Sequence, residues 1–373
     1  MSWIFWLAAS LIGYTYAGYA GWLWLRARLR PWPVLHAQQE PYLSIVVVVR
    51  NEEGFIKSKL RNLLELDYPQ ARYQIVLVSD GSTDRTEGIL REHGDDPRVH
   101  VVMNQLSRGK ASGLNDAIAV ASGEVIVFTD ARQTIERVAL RFLVENFADP
   151  EVGCVSGALM LGDPHVGEAP EGMGLYWRME KTIRELESAS GSVVGATGAI
   201  YAVRRELLDL VPEGTILDDV YIPMQVVRKG KRVIFEARAR AWDTPDLGAG
   251  REFSRKVRTL SGNYQLVQLA PWLLTEENPI RFEFASHKLL RLAVPFALAA
   301  VFVASVFLSG VFYRIALALQ MLFYGLSALA GLRLNRGPLA RMSDAALTFV
   351  LLNGAAVVAF VNFVTGRKTV WAR

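Results

Sequence analysis

An aspartate, Asp130, follows almost directly on the run Val125-Ile126-Val127-Phe128. Four large apolar residues in a row read as a strand buried on both faces. In an open α/β sheet, ligands bind at the carboxyl ends of the strands. A carboxylate there can hold a cation or orient a polar ligand, although an isolated one reads first as a helix cap. A second run, Gln74-Ile75-Val76-Leu77-Val78-Ser79, ends the same way, in Asp80-Gly81-Ser82. Two strands delivering carboxylates to one edge predict a polar, metal-ready site. Further on, the paired acids Asp218 and Asp219 open a helical stretch, where acids also suit the positive end of a helix dipole.

The elements that must position these groups alternate. Ser44-Ile45-Val46-Val47-Val48-Val49 is a buried strand with Arg50-Asn51-Glu52-Glu53 at its carboxyl end. Residues 53–66 carry a helical stripe through Phe55, Ile56, Leu60, Leu63 and Leu64. A helix is expected over 85–92, a strand over 99–103, and a helix over 110–121. After Asp130 come a helix over 138–147, strand character over 152–161, a glycine-rich loop over 191–198, a strand over 200–203 and a helix over 219–228. This β-α-β-α-β order with short connections predicts a parallel sheet with helices on both faces.

Four charge-free apolar stretches flank that domain, at 3–25, 292–313, 315–332 and 345–366. Each comes close to the roughly 20 residues needed to span a hydrocarbon core. The mean hydropathy of +0.20 agrees. Arg26, Arg28 and Arg30 follow the first stretch directly, which reads as an anchor with its C-terminal end in the cytosol. Lys288 and Arg291 place the central domain on the same side. Arg333, Arg336 and Arg341 put the last loop there, while Arg367, Lys368 and Arg373 leave the side of the tail open. The net charge of +4 lies largely beside these stretches, so an anionic leaflet explains it better than nucleic acid. One cysteine, Cys154, excludes an intrachain disulfide, and five scattered histidines disfavour zinc. The expected organisation is an anchor at 1–30, a cytosolic domain at 31–268, an interfacial segment at 269–290 and membrane helices at 291–373, on the cell (inner) membrane.

Taken in order, Arg50-Asn51-Glu52, Ser79 to Asp84, Lys110, Thr129-Asp130-Ala131, Gly195 to Gly198, Asp218-Asp219 and Arg255 to Arg258 resemble the motifs of the membrane-integrated family 2 glycosyltransferases. That branch has the GT-A fold and includes the cellulose, hyaluronan and poly-N-acetylglucosamine synthases. The resemblance implies an α/β, Rossmann-like, mostly parallel cytosolic domain with about four transmembrane helices. It puts Arg50, Glu52, Asp80 and Ser82 around the nucleoside of a nucleotide-sugar donor and Arg258 at its phosphates, with Lys110 and Arg255 on the donor side as well, while Arg132 either meets the phosphates or points away. It makes Asp130 the ligand of a Mg2+ or Mn2+ ion. Asp219 becomes the base with Asp218 beside it, and Thr197, Gly198 and Thr259 face the acceptor.

Two positions depart from the family pattern. The usual Asp-x-Asp reads Asp130-Ala131-Arg132, which exchanges a carboxylate for a cation. The usual Gln-x-x-Arg-Trp reads Arg255-Lys256-Val257-Arg258-Thr259, which removes an aromatic platform for the acceptor. The function expected is inverting transfer of a sugar, a UDP-sugar by preference, to a membrane-associated glycan or polyprenyl-linked acceptor. The alternative is a catalytically silent subunit of a polysaccharide secretion complex. A homo-oligomer or a secretion partner is compatible with either.

Overall fold

The computed structural model describes residues 1–94, 96–163, 167–168, 174–244, 249–332 and 339–367. Arg333, Arg336, Lys368 and Arg373, used above to orient the last span and tail, lie outside the described residues. The chain opens with α1 (Ser2–Gly13), a π-turn (Tyr14–Gly18) and α2 (Tyr19–Leu29). The alternating segment runs β1 (Leu43–Val49), α3 (Ile56–Leu64), β2 (Tyr73–Asp80), α4 (Thr86–Glu92), β3 (Val99–Asn104), α5 (Lys110–Val120) and β4 (Val125–Phe128). It continues through β5 (Thr134–Ile135), α6 (Ala139–Val144), β6 (Val152–Asp163), β7 (Gly167–Glu168), α7 (Gly174–Ser190), β8 (Tyr201–Arg204), α8 (Asp218–Arg228) and β9 (Arg232–Asp243). Then come α9 (Ala249–Leu269), α10 (Arg281–Phe284), α11 (Leu290–Phe307), α12 (Val311–Gly331) and α13 (Ala340–Val364).

The strands form one mixed sheet in the order β3-β2-β1-β4-β8-β6-β9-β5, with β7 paired to β6. The first four are parallel, as the sequence order predicts. β8 runs antiparallel between β4 and β6. β1 is buried along its whole length, and its side chains alternate between two cores. Ile45 and Val47 pack on the α3 and α6 face, with Leu60, Leu63 and Leu140. Val46 and Val48 pack on the α5 and α8 face, with Leu114, Ala117 and Ile222. Val49 lies opposite Ser79, and Val46 opposite Phe128. Arg50, Asp80 and Asp130 therefore leave the sheet along one edge.

Three helices are long and apolar enough to cross a bilayer: Arg281–Phe307, Val311–Gly331 and Ala340–Val364. The break between the first two is not at Arg314, where the sequence reading put it. α11 stops at Phe307, Gly310 takes φ 129°, and α12 starts at Val311. Glycine supplies the left-handed turn, and Arg314 is left exposed in the first turn of the new helix. The N-terminal stretch is helical throughout but is not one of the three, since tyrosines and glycines between residues 13 and 21 dilute its hydropathy. It lies along α11 through Phe5, Ala8, Ala297, Val301 and Ala304.

Several charges assigned above to the lipid surface are instead used inside the protein. Arg26 bonds Glu283 and donates from Nε to Ser190 Oγ at 2.9 Å. Arg291 pairs with Glu180 at 2.8 Å. The helix Arg281–Phe307 also runs straight through the expected boundary at 290, and Leu273, Ile280 and Phe284 of the preceding segment are buried in the α5/α8 core.

Candidate active site

At the sheet edge the loops after β1 and β2 are laced together. Asn51 takes φ 56°, donates from N to Ser82 Oγ at 3.2 Å, and accepts from Thr83 N at 2.8 Å. Glu52 N donates to Thr86 Oγ1 at 2.9 Å. Burial raises the Glu52 carboxyl, Arg132 opposes that shift, and Asp130 adds to it. Glu52, Arg132 and Asp130 thus share one electrostatic neighbourhood. The Arg132 guanidinium lies over the Phe55 ring, 5.4 Å from its centroid.

Asp80 is fully buried. Its carboxylate accepts from Ser107 Oγ at 2.7 Å, Arg108 N at 2.8 Å and Gly109 N at 2.9 Å. These bonds hold the loop that launches α5. Gly81, at φ 62°, lets that loop come close: a Cβ there would stand 2.5 Å from Ser107 N. The residue delivered is Lys110. Its Nζ lies 2.9 Å from Asp130 Oδ1 and 3.1 Å from Asp218 Oδ2. Burial works against this ammonium, yet the paired acids hold its pKa above the ordinary value.

Asp219, next to Asp218 in the first turn of α8, is raised to about 6. Burial is the main cause and Asp218 adds to it, while Lys110 opposes the shift. The loop 195–198 is fixed against α8, with Ala196 N donating to Asp219 O at 2.6 Å and Thr197 N to Ser156 Oγ at 3.0 Å. A Cβ built on Gly198 would meet Asp219 Oδ2 at 3.4 Å and Asp130 Oδ2 at 3.5 Å. Both carboxylates therefore face one small gap, kept open because residue 198 has no side chain.

That gap belongs to a cavity of about 330 Å³ whose lining includes Asp130, Thr197, Gly198, Asp219, Arg255 and Thr259. The structure thus brings together most of the expected catalytic and acceptor residues. Asp218 and Lys110 are tied to them by ion pairs. Arg50, Ser82 and Arg258 are half-buried and do not line this cavity.

Some contributors were not legible in the sequence. Lys59 is buried beneath the site and donates to Thr129 Oγ1 at 2.8 Å and Gln133 O at 2.7 Å. Burial brings it down to about 7, with Asp130 opposing. Its only sequence signal is a lysine among the apolar residues of α3. His287 is buried between Glu187, 2.8 Å from Nδ1, and Glu180, 3.1 Å from Nε2. Glu180 also accepts from Arg184 at 3.3 Å, and Arg184 reaches Thr197 Oγ1 at 2.8 Å. Burial alone would raise Glu180, but His287 and Arg291 hold it well below the usual carboxylate range.

Asp130 Oδ2, turned away from Lys110 into the Gly198 gap, suits one protein ligand to a divalent cation. The second acid of the usual motif is Arg132, so this chain offers no second motif carboxylate. Among the described residues another grouping with metal-ligand geometry is His36, Glu145 and Glu236. Arg238 already bonds both of its acids.

A family model described as "Glycosyl transferase family 2" matches residues 44–211. The beta-monoglucosyldiacylglycerol synthase of a Synechocystis strain is 29% identical over 192 residues, 50% of this chain and 40% of that protein. The poly-beta-1,6-N-acetyl-D-glucosamine synthase of Staphylococcus epidermidis is 24% identical over 244 residues, 63% of this chain and 58% of that protein. The chain thus spans about half the length of the curated relatives it matches. A mannosyltransferase from Pyrobaculum calidifontis, solved in complex with GDP-Man and Mn2+, superposes with a TM-score of 0.73 at 24% identity, covering 98% of this chain and all of that one. That likeness extends the fold to the membrane helices.

Proposed function

We propose that this chain, whose residues 44–211 are a family 2 glycosyl transferase domain, moves a sugar from a nucleotide-diphosphate sugar to a membrane-associated acceptor with inversion. The acceptor oxygen forms its bond to the anomeric carbon as the bond to the donor diphosphate breaks. The electron pair leaves on the diphosphate, and the acceptor proton passes to Asp219. The observation that carries this reading is the gap at Gly198, which both Asp219 and Asp130 face. A general base works best with a pKa near the operating pH, and a carboxyl raised to about 6 suits that role.

Lys110 pairs with both Asp130 and Asp218, and Asp219, raised to about 6, is the acid of the cluster that takes the proton. Arg255, Arg258 and Arg132 carry positive charge for the donor phosphates, and Glu52 with Arg50 and Ser82 forms the nucleoside side. A Mg2+ or Mn2+ ion on Asp130 would supply further charge to the departing diphosphate. The domain faces the cytosol of a cell membrane in this reading, where soluble nucleotide-sugars are found.

The silent-subunit alternative would need this ion-paired cluster to persist with no reaction to serve. A screen of nucleotide-sugars with the purified chain in detergent tests the proposal, scoring released nucleotide and product together. Asp219→Asn should lower transfer by about two to four orders of magnitude while sparing donor binding. Near-normal turnover in that variant would remove Asp219 as the base, and no nucleotide release from any donor would favour the silent subunit.

A further inference from the structure

The segment that follows Asp130 is fastened along one stripe of α3. Phe55, at the start of that helix, lies under the Arg132 guanidinium. Lys59 Nζ donates to Gln133 O at 2.7 Å. Asn62 exchanges two bonds of 2.8 Å with Ile135, from Nδ2 to Ile135 O and from Ile135 N to Oδ1. Positions 55, 59 and 62 share one face of a helix, so residues 132–135 run along that face.

Lys59 reaches further than its two neighbours. Its Nζ also donates to Thr129 Oγ1 at 2.8 Å. An ammonium can only donate and a hydroxyl carries one proton, so the Thr129 proton is left for a carbonyl. Ala199 O lies at 2.7 Å and Asp130 O at 3.4 Å, and the nearer one takes it. Ala199 follows Gly198 directly. One buried ammonium thereby joins the turn that carries Asp130 to the loop that carries Gly198, two of the segments that bound the gap. Lys110 fixes Asp130 separately, through Oδ1.

Taking a lysine ammonium out of water is costly. Lys59 is buried, and Asp130 attracts it. A methionine has a similar stem and no charge to desolvate, so it meets the packing of α3 equally well. What it lacks is the pair of bonds that reach across to Thr129 and Gln133.

We propose that Lys59 is a positioning residue for transfer: it holds the turn 129–133 against Ala199 and so sets the separation of Asp130 from Gly198 and Asp219. This rests on the transferase reading and adds to it a residue outside the cavity lining.

The test compares wild type, Lys59→Met, Thr129→Val, Thr129→Ser, the double variant Lys59→Met/Thr129→Val and Asn62→Ala, each as the full chain in detergent. Single-turnover transfer is measured with the nucleotide-sugar that wild type turns over fastest, alongside affinity for its nucleotide diphosphate. Amide exchange is followed over residues 129–135 and 197–200. Displacement by about an ångström costs on the order of 100-fold, so Lys59→Met and Thr129→Val should each lose at least about tenfold in transfer, with nucleotide affinity kept. Thr129→Ser should restore most of that loss. The double variant should fall no further than the single ones, since both cut one chain of bonds. Exchange should quicken in both segments when Lys59 is replaced. Asn62→Ala loosens the same stripe without reaching Ala199, so it should quicken exchange near Ile135 alone and leave transfer near wild type.

Undiminished transfer in Lys59→Met, additive losses in the double variant, or an equal loss in Asn62→Ala overturns the proposal. A fall in nucleotide affinity that matches the fall in transfer also overturns it, by assigning the effect to the donor. If Lys59→Met does not fold, Thr129→Val and Thr129→Ser decide the question between them. A wild type that turns over no nucleotide-sugar overturns the transferase reading and this inference together, whereas wild-type turnover with an undiminished Lys59→Met overturns the inference alone.

Discussion

Gly198→Ala places one methyl group in the gap between the two carboxylates. The new Cβ would lie 3.4 Å from Asp219 Oδ2, 3.5 Å from Asp130 Oδ2 and 3.8 Å from Asp219 Cβ. All three are ordinary van der Waals separations, and Gly198 is not among the left-handed glycines. Folding should therefore change by no more than about 0.5 kcal/mol. The reaction is less tolerant. Reacting atoms must approach to about 3–3.5 Å, and displacement by about an ångström costs on the order of 100-fold. A methyl group in the gap moves the acceptor oxygen by about that distance, so transfer should fall about 100-fold, or roughly 2.7 kcal/mol in the barrier. The assay is single-turnover transfer at saturating donor, with nucleotide affinity and melting temperature measured on the same preparation. Wild-type transfer at an unchanged melting temperature would refute the placement of the reacting atoms between Asp130 and Asp219.

The pH profile follows from the same site. A base raised to about 6 is protonated below that pH, so transfer should fall about tenfold per unit on the acid side, and the residual activity of Asp219→Asn should lack that limb. Asp130→Ala should abolish Mn2+- or Mg2+-supported donor binding, measured by calorimetry with and without chelator; equal wild-type binding in chelator would leave Arg132 and Arg258 as the phosphate clamp. Thr259 is exposed in the cavity wall, and its hydroxyl donates back to Arg255 O, at 3.1 Å. Lacking an aromatic face worth roughly 0.5–1.5 kcal/mol, it should release products early. Product sizing under excess donor should show short or single-sugar products, and long chains at early times would contradict this.

The strands that deliver Asp80 and Asp130 were readable because buried parallel strands are unbroken apolar runs, and because acids at their ends interrupt those runs abruptly. The loop at Gly198 and the acids of α8 were readable by motif. α7 and β9 were not. α7 carries Glu180, Arg184 and Glu187, which read locally as a solvated helix, yet Glu187 is fully buried because His287 meets it from 100 residues away. β9 spans 12 residues but alternates alanine with arginine over 237–241 and has an apolar run of only Val233-Ile234-Phe235. Lys59 looked like surface charge, and only the path of β4 over α3 shows that it sits under Thr129. Asp80 was readable at its strand end, while its protein partners come from a loop almost 30 residues later, beyond the reach of local patterning.

The contact between α2 and the helix Arg281–Phe307 sets an order of assembly. Tyr19 and Arg26 are made well before their partners Glu187 and Glu283, which are translated 168 and 257 residues later. At about 5–20 residues per second that is a wait of roughly ten seconds to almost a minute. Tyr19 and Arg26 must meanwhile wait unmatched. The last strand of the sheet, ending at Asp243, is made during the interval, and docking of the returning helix closes the junction last. Assembly of this junction therefore waits on residue 283, and a nascent chain stalled before it would carry the strands of the sheet with the α2 junction still open.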